Sequence, residues 1–177
     1  PQILLPLKNT VEFIRVFDNL DEKLTLIISK NQMSAFTPSI YFTSRIVDGT
    51  FPDYEQIIPK ELTTSAVLLK QDLVDALKTT TTIADKYNQV VFEVSTKKQQ
   101  LIIKIKNSEV GEGEMAVRTK VSGEDISMSF NQKYLSDAMP PIIDDSIVCK
   151  FGGPHKPLLI EGIANKNFRY LVMPMNR

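Results

Sequence analysis

The stretch Leu69-Lys70-Gln71-Asp72-Leu73-Val74-Asp75-Ala76-Leu77-Lys78-Thr79-Thr80 decides the fold, because it passes from strand to helix within a few residues. Leu69-Lys70 ends a strand. From Gln71 to about Thr80, Leu73, Ala76 and Leu77 fall on one side of a helix. A similar strand-to-helix phrase occurs as Leu7-Lys8-Asn9 and as Phe130-Asn131-Gln132, at spacings of 62 and 61 residues. Thr10–Asp18 follows the first of these with Val11, Ile14 and Phe17 on one side. Gln132–Met139 follows the last with Leu135, Ala138 and Met139 on one side, and Pro140-Pro141 stops it. Each helix is only about two to three turns long, so packing on a sheet must stabilise it.

The runs between the helices read as strands. Leu24–Ile28, Val90–Val94 and Leu101–Lys106 are short and rich in β-branched residues, and Ser95-Thr96-Lys97-Lys98 is a hairpin turn. Ile126–Phe130 alternates, which predicts one buried and one wet face, and Phe168–Met173 is the last run. Three strand-like runs follow each helix, so the chain reads as an α+β protein of three β-α-β-β-β units. Short amphipathic helices after strands also recur by chance in α+β proteins. Here order, spacing and phrase all agree.

A single unit has a one-sided sheet and one small helix, too little to enclose a core. Two units packed back to back close one. The expected arrangement is a half-domain over residues 1–62 without its mate and a complete domain of two paired units over residues 63–177. The N-terminal Pro1-Gln2-Ile3-Leu4 has neither an initiator Met nor a signal-peptide pattern and reads as a cut inside a longer chain.

Composition excludes several classes. The 177 residues carry 21 basic and 21 acidic side chains, which argues against a module that grips nucleic acid by overall charge. The balance is −2 over residues 1–62 and +2 over residues 63–177. Cys149 is the one cysteine, so there is no internal disulfide. No Cys/His cluster is present to hold zinc, and a reducing cytosol is the expected compartment. No apolar run approaches the roughly 18 residues of a membrane helix. Signs of catalysis are missing as well. His155 stands alone in a Gly/Pro turn without a nucleophile elbow, and Cys149 sits in a strand-like run as a small hydrophobe. Gly111-Glu112-Gly113-Glu114 lacks a P-loop lysine and reads as a bulged or turning strand. Asp144-Asp145 reads as a turn after Pro140-Pro141. The expectation is a non-enzymatic protein without metal or cofactor.

Two segments stay open on composition. Asp48–Lys60 is held extended by Pro52 and Pro59 and carries Phe51, Tyr54, Ile57 and Ile58. It reads equally as a semi-rigid connector lying on a surface or as a loop packing its own aromatics. Tyr170–Met175 runs a strand out into Met173-Pro174-Met175, either core methionines or an adaptable binding surface.

The run Tyr41-Phe42-Thr43-Ser44-Arg45-Ile46-Val47-Asp48-Gly49-Thr50-Phe51-Pro52-Asp53-Tyr54, with Ile58-Pro59-Lys60 after it, resembles the bacterial sliding clamp family, the beta subunit of DNA polymerase III. The ending Tyr170-Leu171-Val172-Met173-Pro174-Met175 resembles the family's C-terminus. The resemblance spans the chain and implies the DNA clamp fold, with the second half of the middle domain followed by the C-terminal domain. It implies a head-to-tail dimeric ring around duplex DNA, helices lining the hole, that keeps the replicative polymerase processive. Lys8, Arg15, Lys70 and Lys133 would face the DNA, with Lys78 nearby; each is equally readable as a solvated helix charge.

The resemblance further implies a cleft in which the polymerase, the clamp loader and repair proteins dock short hydrophobic peptides. Pro52 and Ile57 would belong to it from the connector. Asn131, Tyr134, His155, Pro157, Leu171, Met173, Pro174, Met175 and Asn176 would come from the last domain, which favours the binding-surface reading of the methionines. Gln56 and Asn176 stand where arginine is common in the family. The turn Gly152-Gly153-Pro154-His155-Lys156-Pro157 departs from the family's small polar stretch.

Overall fold

The computed structural model describes residues 2–84 and 86–175. Contacts divide the chain into two compact units, Pro1–Asp53 and Tyr54–Arg177. The segment 54–62, which the sequence assigned to the first unit, goes with the second. There Thr63 N–H donates to the Phe151 carbonyl at 2.8 Å, and Gly152 lies close against Pro59 and Glu61.

The first unit is one helix and one sheet. α1 (Leu7–Phe17) is followed by β1 (Thr25–Ile28), β2 (Gln32–Phe36) and β3 (Tyr41–Arg45), which form an antiparallel meander. Phe13, Phe17 and Phe42 cluster with ring centroids 5.0–6.2 Å apart, Phe42 edge-to-face with both others and Phe13 tilted against Phe17. The adjacent face of α1 stays in solvent: Leu7, Val11 and Ile14 are 80%, 53% and 61% exposed, so Val11 and Ile14 do not join Phe17 in the packing. β1 is exposed at all four residues. Met33 and Ala35 are the buried apolar side chains of this unit among the described residues. The strand expected before α1 is not formed. Leu4 only accepts a hydrogen bond from Val47 N–H at 2.9 Å.

The second unit opens with a short 3-10 turn at Tyr54–Ile57. The connector is therefore not extended throughout, because Pro52 and Pro59 leave the residues between them free to coil once. Then come β4 (Thr64–Leu69), α2 (Lys70–Thr81), β5 (Gln89–Ser95), β6 (Gln100–Asn107), β7 (Gly111–Arg118) and β8 (Lys120–Gly123). β9 (Ile126–Asn131), α3 (Gln132–Asp137), β10 (Ser146–Phe151), β11 (Leu158–Gly162) and β12 (Arg169–Val172) complete it. α2 turns Leu73, Ala76, Leu77 and Thr80 inward, as its spacing predicted. β7 pairs with β6 in unbroken register from Arg118 to Gly111, so the glycines there make no bulge.

The two repeats of this unit exchange their first strands. β4 leaves its own β5-β6-β7 and lies beside β10, in a five-stranded sheet of order β12-β11-β10-β4-β8. β9 reciprocally lies beside β5, in a sheet of order β7-β6-β5-β9. Each helix starts where its strand leaves, and α2 and α3 meet through Gln132, whose amide donates to the Leu77 carbonyl and the Thr81 hydroxyl. Phe92, Phe130, Leu73, Leu77, Leu135, Phe151 and Ile160 are fully buried in the resulting core. Phe92 and Phe130 pack edge-to-face at 5.6 Å. Burial of each such side chain stabilises the fold by roughly 1.5–3 kcal/mol. Gly123 makes the turn out of β8 at φ +104°, and the Thr63 carbonyl oxygen fills the space where a Cβ would stand.

Candidate functional site

The end of β9 organises one side of the second unit. Asn131 caps α3, accepting from Lys133 N–H at 2.9 Å through Oδ1 and donating from Nδ2 to the Tyr87 carbonyl at 3.3 Å. Upstream, Met128, Ser129 and Phe130 are all buried, against the alternation expected of this strand. The reason is long-range: the C-terminal segment crosses β9, and Met175 N–H donates to the Ser129 carbonyl at 2.8 Å. The turn after β10, closed by Lys156 N–H to the Gly153 carbonyl at 3.1 Å, supplies a third wall.

These pieces enclose a cavity of about 550 Å³. Pro174 and Met175 line it from the C-terminal segment, Pro154 and His155 from the turn, and Ser127, Met128 and Ser129 from β9. His155, Pro174 and Met175 are thus brought together. Pro154 and the β9 residues were missed by sequence reasoning, although Ser127 and Ser129 are the polar positions of an alternating strand. His155 is the one titratable side chain in the lining, which otherwise combines Met128, Pro154, Pro174 and Met175 with the hydroxyls of Ser127 and Ser129.

The other expected cleft residues lie outside that lining. Tyr134 is 55% exposed on α3, and Met173 is exposed next to Pro174. Leu171 is half-buried and paired with Leu159 across β11–β12, and Pro157 is buried. Ile57 is exposed on the 3-10 turn. Pro52 belongs to the first unit, and Asn176 lies outside the described residues. Near Tyr134, burial raises the Tyr170 phenol above its ordinary pKa, assisted by the charge of Asp137 and by Tyr134.

The helix cations divide. Lys8 and Arg15 are exposed on α1, where Arg15 is 3.6 Å from Glu12. Lys133 is exposed on α3. Lys70 is tied down: its Nζ donates to the Ile142 carbonyl at 2.7 Å, and it shares a groove of about 310 Å³ between α2 and α3 with Lys78. Reactive groups are inert by position. Cys149 is fully buried in β10, and burial pushes its thiol up to about 12. Asp144 accepts from Asn165 N–H at 2.9 Å and Ala164 N–H at 2.7 Å; these bonds, the Asn165 one first, hold its carboxyl below the usual range and make it a turn clasp. No group of three metal-ligating side chains occurs among the described residues, and no described helix is long and apolar enough to cross a membrane.

The sequence model for the C-terminal domain of the DNA polymerase III beta subunit matches residues 55–176. The chain belongs to the DNA polymerase III beta subunit family. The model for the central domain of the same protein matches residues 1–53. The Escherichia coli beta sliding clamp is 30% identical over 177 residues, covering 98% of this chain and 47% of its own length. The beta subunit structure from Thermotoga maritima superposes with a TM-score of 0.93 at 29% identity, covering 99% of this chain and 48% of that one. A Pseudomonas aeruginosa sliding clamp solved bound to griselimycin gives 0.93 at 28% identity, covering 100% and 48%. The chain spans about half the length of the relatives it matches. The exchange of first strands and the repeated helix positions are therefore features of a clamp-type fold.

Proposed function

We propose that this chain is the C-terminal half of a sliding clamp: the second half of the middle domain followed by the C-terminal domain, with the connector 54–62 counted with the latter. The full-length protein encircles duplex DNA as a head-to-tail homodimeric ring, keeps the replicative polymerase processive and has no catalytic role of its own. It works in the cytoplasm. Its helix faces, with Lys8, Arg15, Lys70 and Lys133, meet phosphate weakly and read no bases, as sliding requires. The observation that carries this reading is the superposition along almost the whole chain at a TM-score of 0.93.

Partner proteins dock through a short peptide with hydrophobic anchors. The cavity framed by His155, Pro174 and Met175 supports this, because Met128, Pro174 and Met175 offer apolar contact to an aliphatic or aromatic anchor beside the Ser127 and Ser129 hydroxyls. Pro52, Ile57, Asn131, Tyr134, Pro157, Leu171, Met173 and Asn176 extend the cleft when the rest of the middle domain supplies the opposite wall. The deciding experiment loads the full-length protein on nicked circular DNA and then linearises the DNA. A clamp is retained on the circle and lost from the linear form. Equal retention on both would overturn the ring reading.

A further inference from the structure

We propose that the bend between β7 and β8 carries a separate nucleic-acid backbone site, built by Lys98, Arg118 and Lys120. At Arg118-Thr119-Lys120 the chain leaves the four-stranded sheet and joins the five-stranded one. Thr119 is buried there: its N–H donates to the Gln99 carbonyl at 3.2 Å and its hydroxyl to the Val117 carbonyl at 2.9 Å. The strand period then turns Arg118 and Lys120 outward on the same side, roughly 6.5 Å apart along the chain. Lys98 arrives from the β5–β6 turn, next to Gln100, which is paired with Arg118. All three cations line one concavity of about 810 Å³.

The charge there is uncompensated. None of the three has an ion-pair partner among the described residues, unlike Lys104, Lys106, Lys150 and Lys166. Asp72 is the one carboxylate in the lining, which leaves a net charge of +2. Gln100 and Ser146 add donor-bearing side chains to the wall. An Arg fork flanked by amide and hydroxyl donors suits tetrahedral phosphate oxygens. Two cations at the spacing of alternate strand residues suit charges repeating along a nucleic-acid strand, which recur about every 3.4 Å of rise. An acidic peptide would lean on apolar anchors, and here Leu68 is buried and Val67 half-buried, which leaves Leu69 as the one exposed apolar side chain of the lining. The site does not depend on ring closure and shares no residue with the helix cations assigned to enclosed DNA.

The test is fluorescence anisotropy of the whole chain with a labelled duplex and a labelled single strand, each about 20 nucleotides long, between about 50 and 200 mM salt. Three phosphate contacts give a log–log salt slope of about −2.7, or about a 40-fold loss of affinity over that range. Lys98→Gln, Arg118→Gln and Lys120→Gln should each remove about one unit of slope, while Lys8→Gln with Arg15→Gln leaves these contributions in place. Binding to either DNA form with this pattern supports the site and identifies the form it takes. The proposal is overturned if neither DNA binds at the low salt, or if the triple variant keeps the wild-type slope. It is also overturned if a poly-glutamate peptide binds more tightly than both DNAs through the same three cations, which would assign the site to an acidic protein.

Discussion

Replacing Glu161 with Gln should destabilise the second unit, and the loss should fade in acid. The Glu161 side chain is only 5% exposed on β11, yet it is charged and takes Lys150 Nζ at 2.5 Å and Lys166 Nζ at 3.0 Å. Burial pushes its carboxyl up, but hydrogen bonds from Lys150 and Lys166, with their charges, outweigh that and hold it below the ordinary range. Removing one partner of a fully buried pair costs about 3–5 kcal/mol. Here the lysines are 27% and 52% exposed and can rehydrate, so the expected loss at pH 7 is smaller, about 1–3 kcal/mol. A depressed folded-state pKa stabilises above the unfolded value of about 4.3 and ceases to as pH falls through the folded value. The gap between Glu161→Gln and wild type, read by urea denaturation with far-UV circular dichroism, should therefore be full at pH 7 and narrow steadily below about pH 4.3. A gap that is absent at pH 7, or unchanged down to pH 3, would refute the reasoning.

Gly123→Ala should cost about 3–5 kcal/mol in the same assay, since it adds left-handed backbone strain to a Cβ driven into the Thr63 carbonyl. Gly153→Ala, at φ +119° with open space around it, should cost only the backbone part, about 1–2 kcal/mol; equal losses at the two sites would deny the steric contribution. In native-state hydrogen exchange on the monomeric chain, amides of α1 should exchange faster than those of α2, because α1 buries no side chain fully while α2 buries four. Equal protection in a proven monomer would contradict this.

Much of the fold is written locally. The helix of α2 follows from Leu73, Ala76 and Leu77, and the repeat follows from three matching strand-to-helix phrases, because both are short-range patterns of side-chain placement. What the local pattern does not carry is which strand pairs with which. β4 reads the same whether it lies beside β5 or beside β10, and the long stretch of chain between Leu69 and Ser146 leaves no trace of the choice. β8 is short and was not expected at all. The cavity shows the same limit. His155, Pro174 and Met175 were named from the family resemblance, but Met128 and Ser129 join them only because the C-terminal segment folds across β9. Alternation marked Ser129 as wet, and a backbone bond from 46 residues away made it dry.

The exchange of first strands also explains the contrast between the two units. In the second, β4 and β9 each leave their own repeat, so neither sheet is complete without a strand lent by the other repeat. Burial is then cooperative: the lent strand brings its following helix over the shared core, and Leu73, Leu77 and Leu135 become inaccessible together. In the first unit β1, β2 and β3 receive no lent strand, and residues 2–6 form none to lend. The consequence is visible in α1, where Phe13 and Phe17 pack on Phe42 but Leu7, Val11 and Ile14 face solvent. Three apolar side chains on one helix face, together with the exposed Leu26, Ile27 and Ile28 of β1, form apolar surface of the kind that a mating repeat covers in the second unit. Added as a separate polypeptide, such a repeat should slow exchange at α1 and β1 while leaving α2 unchanged. Uniform slowing across both units would mean that it binds somewhere else.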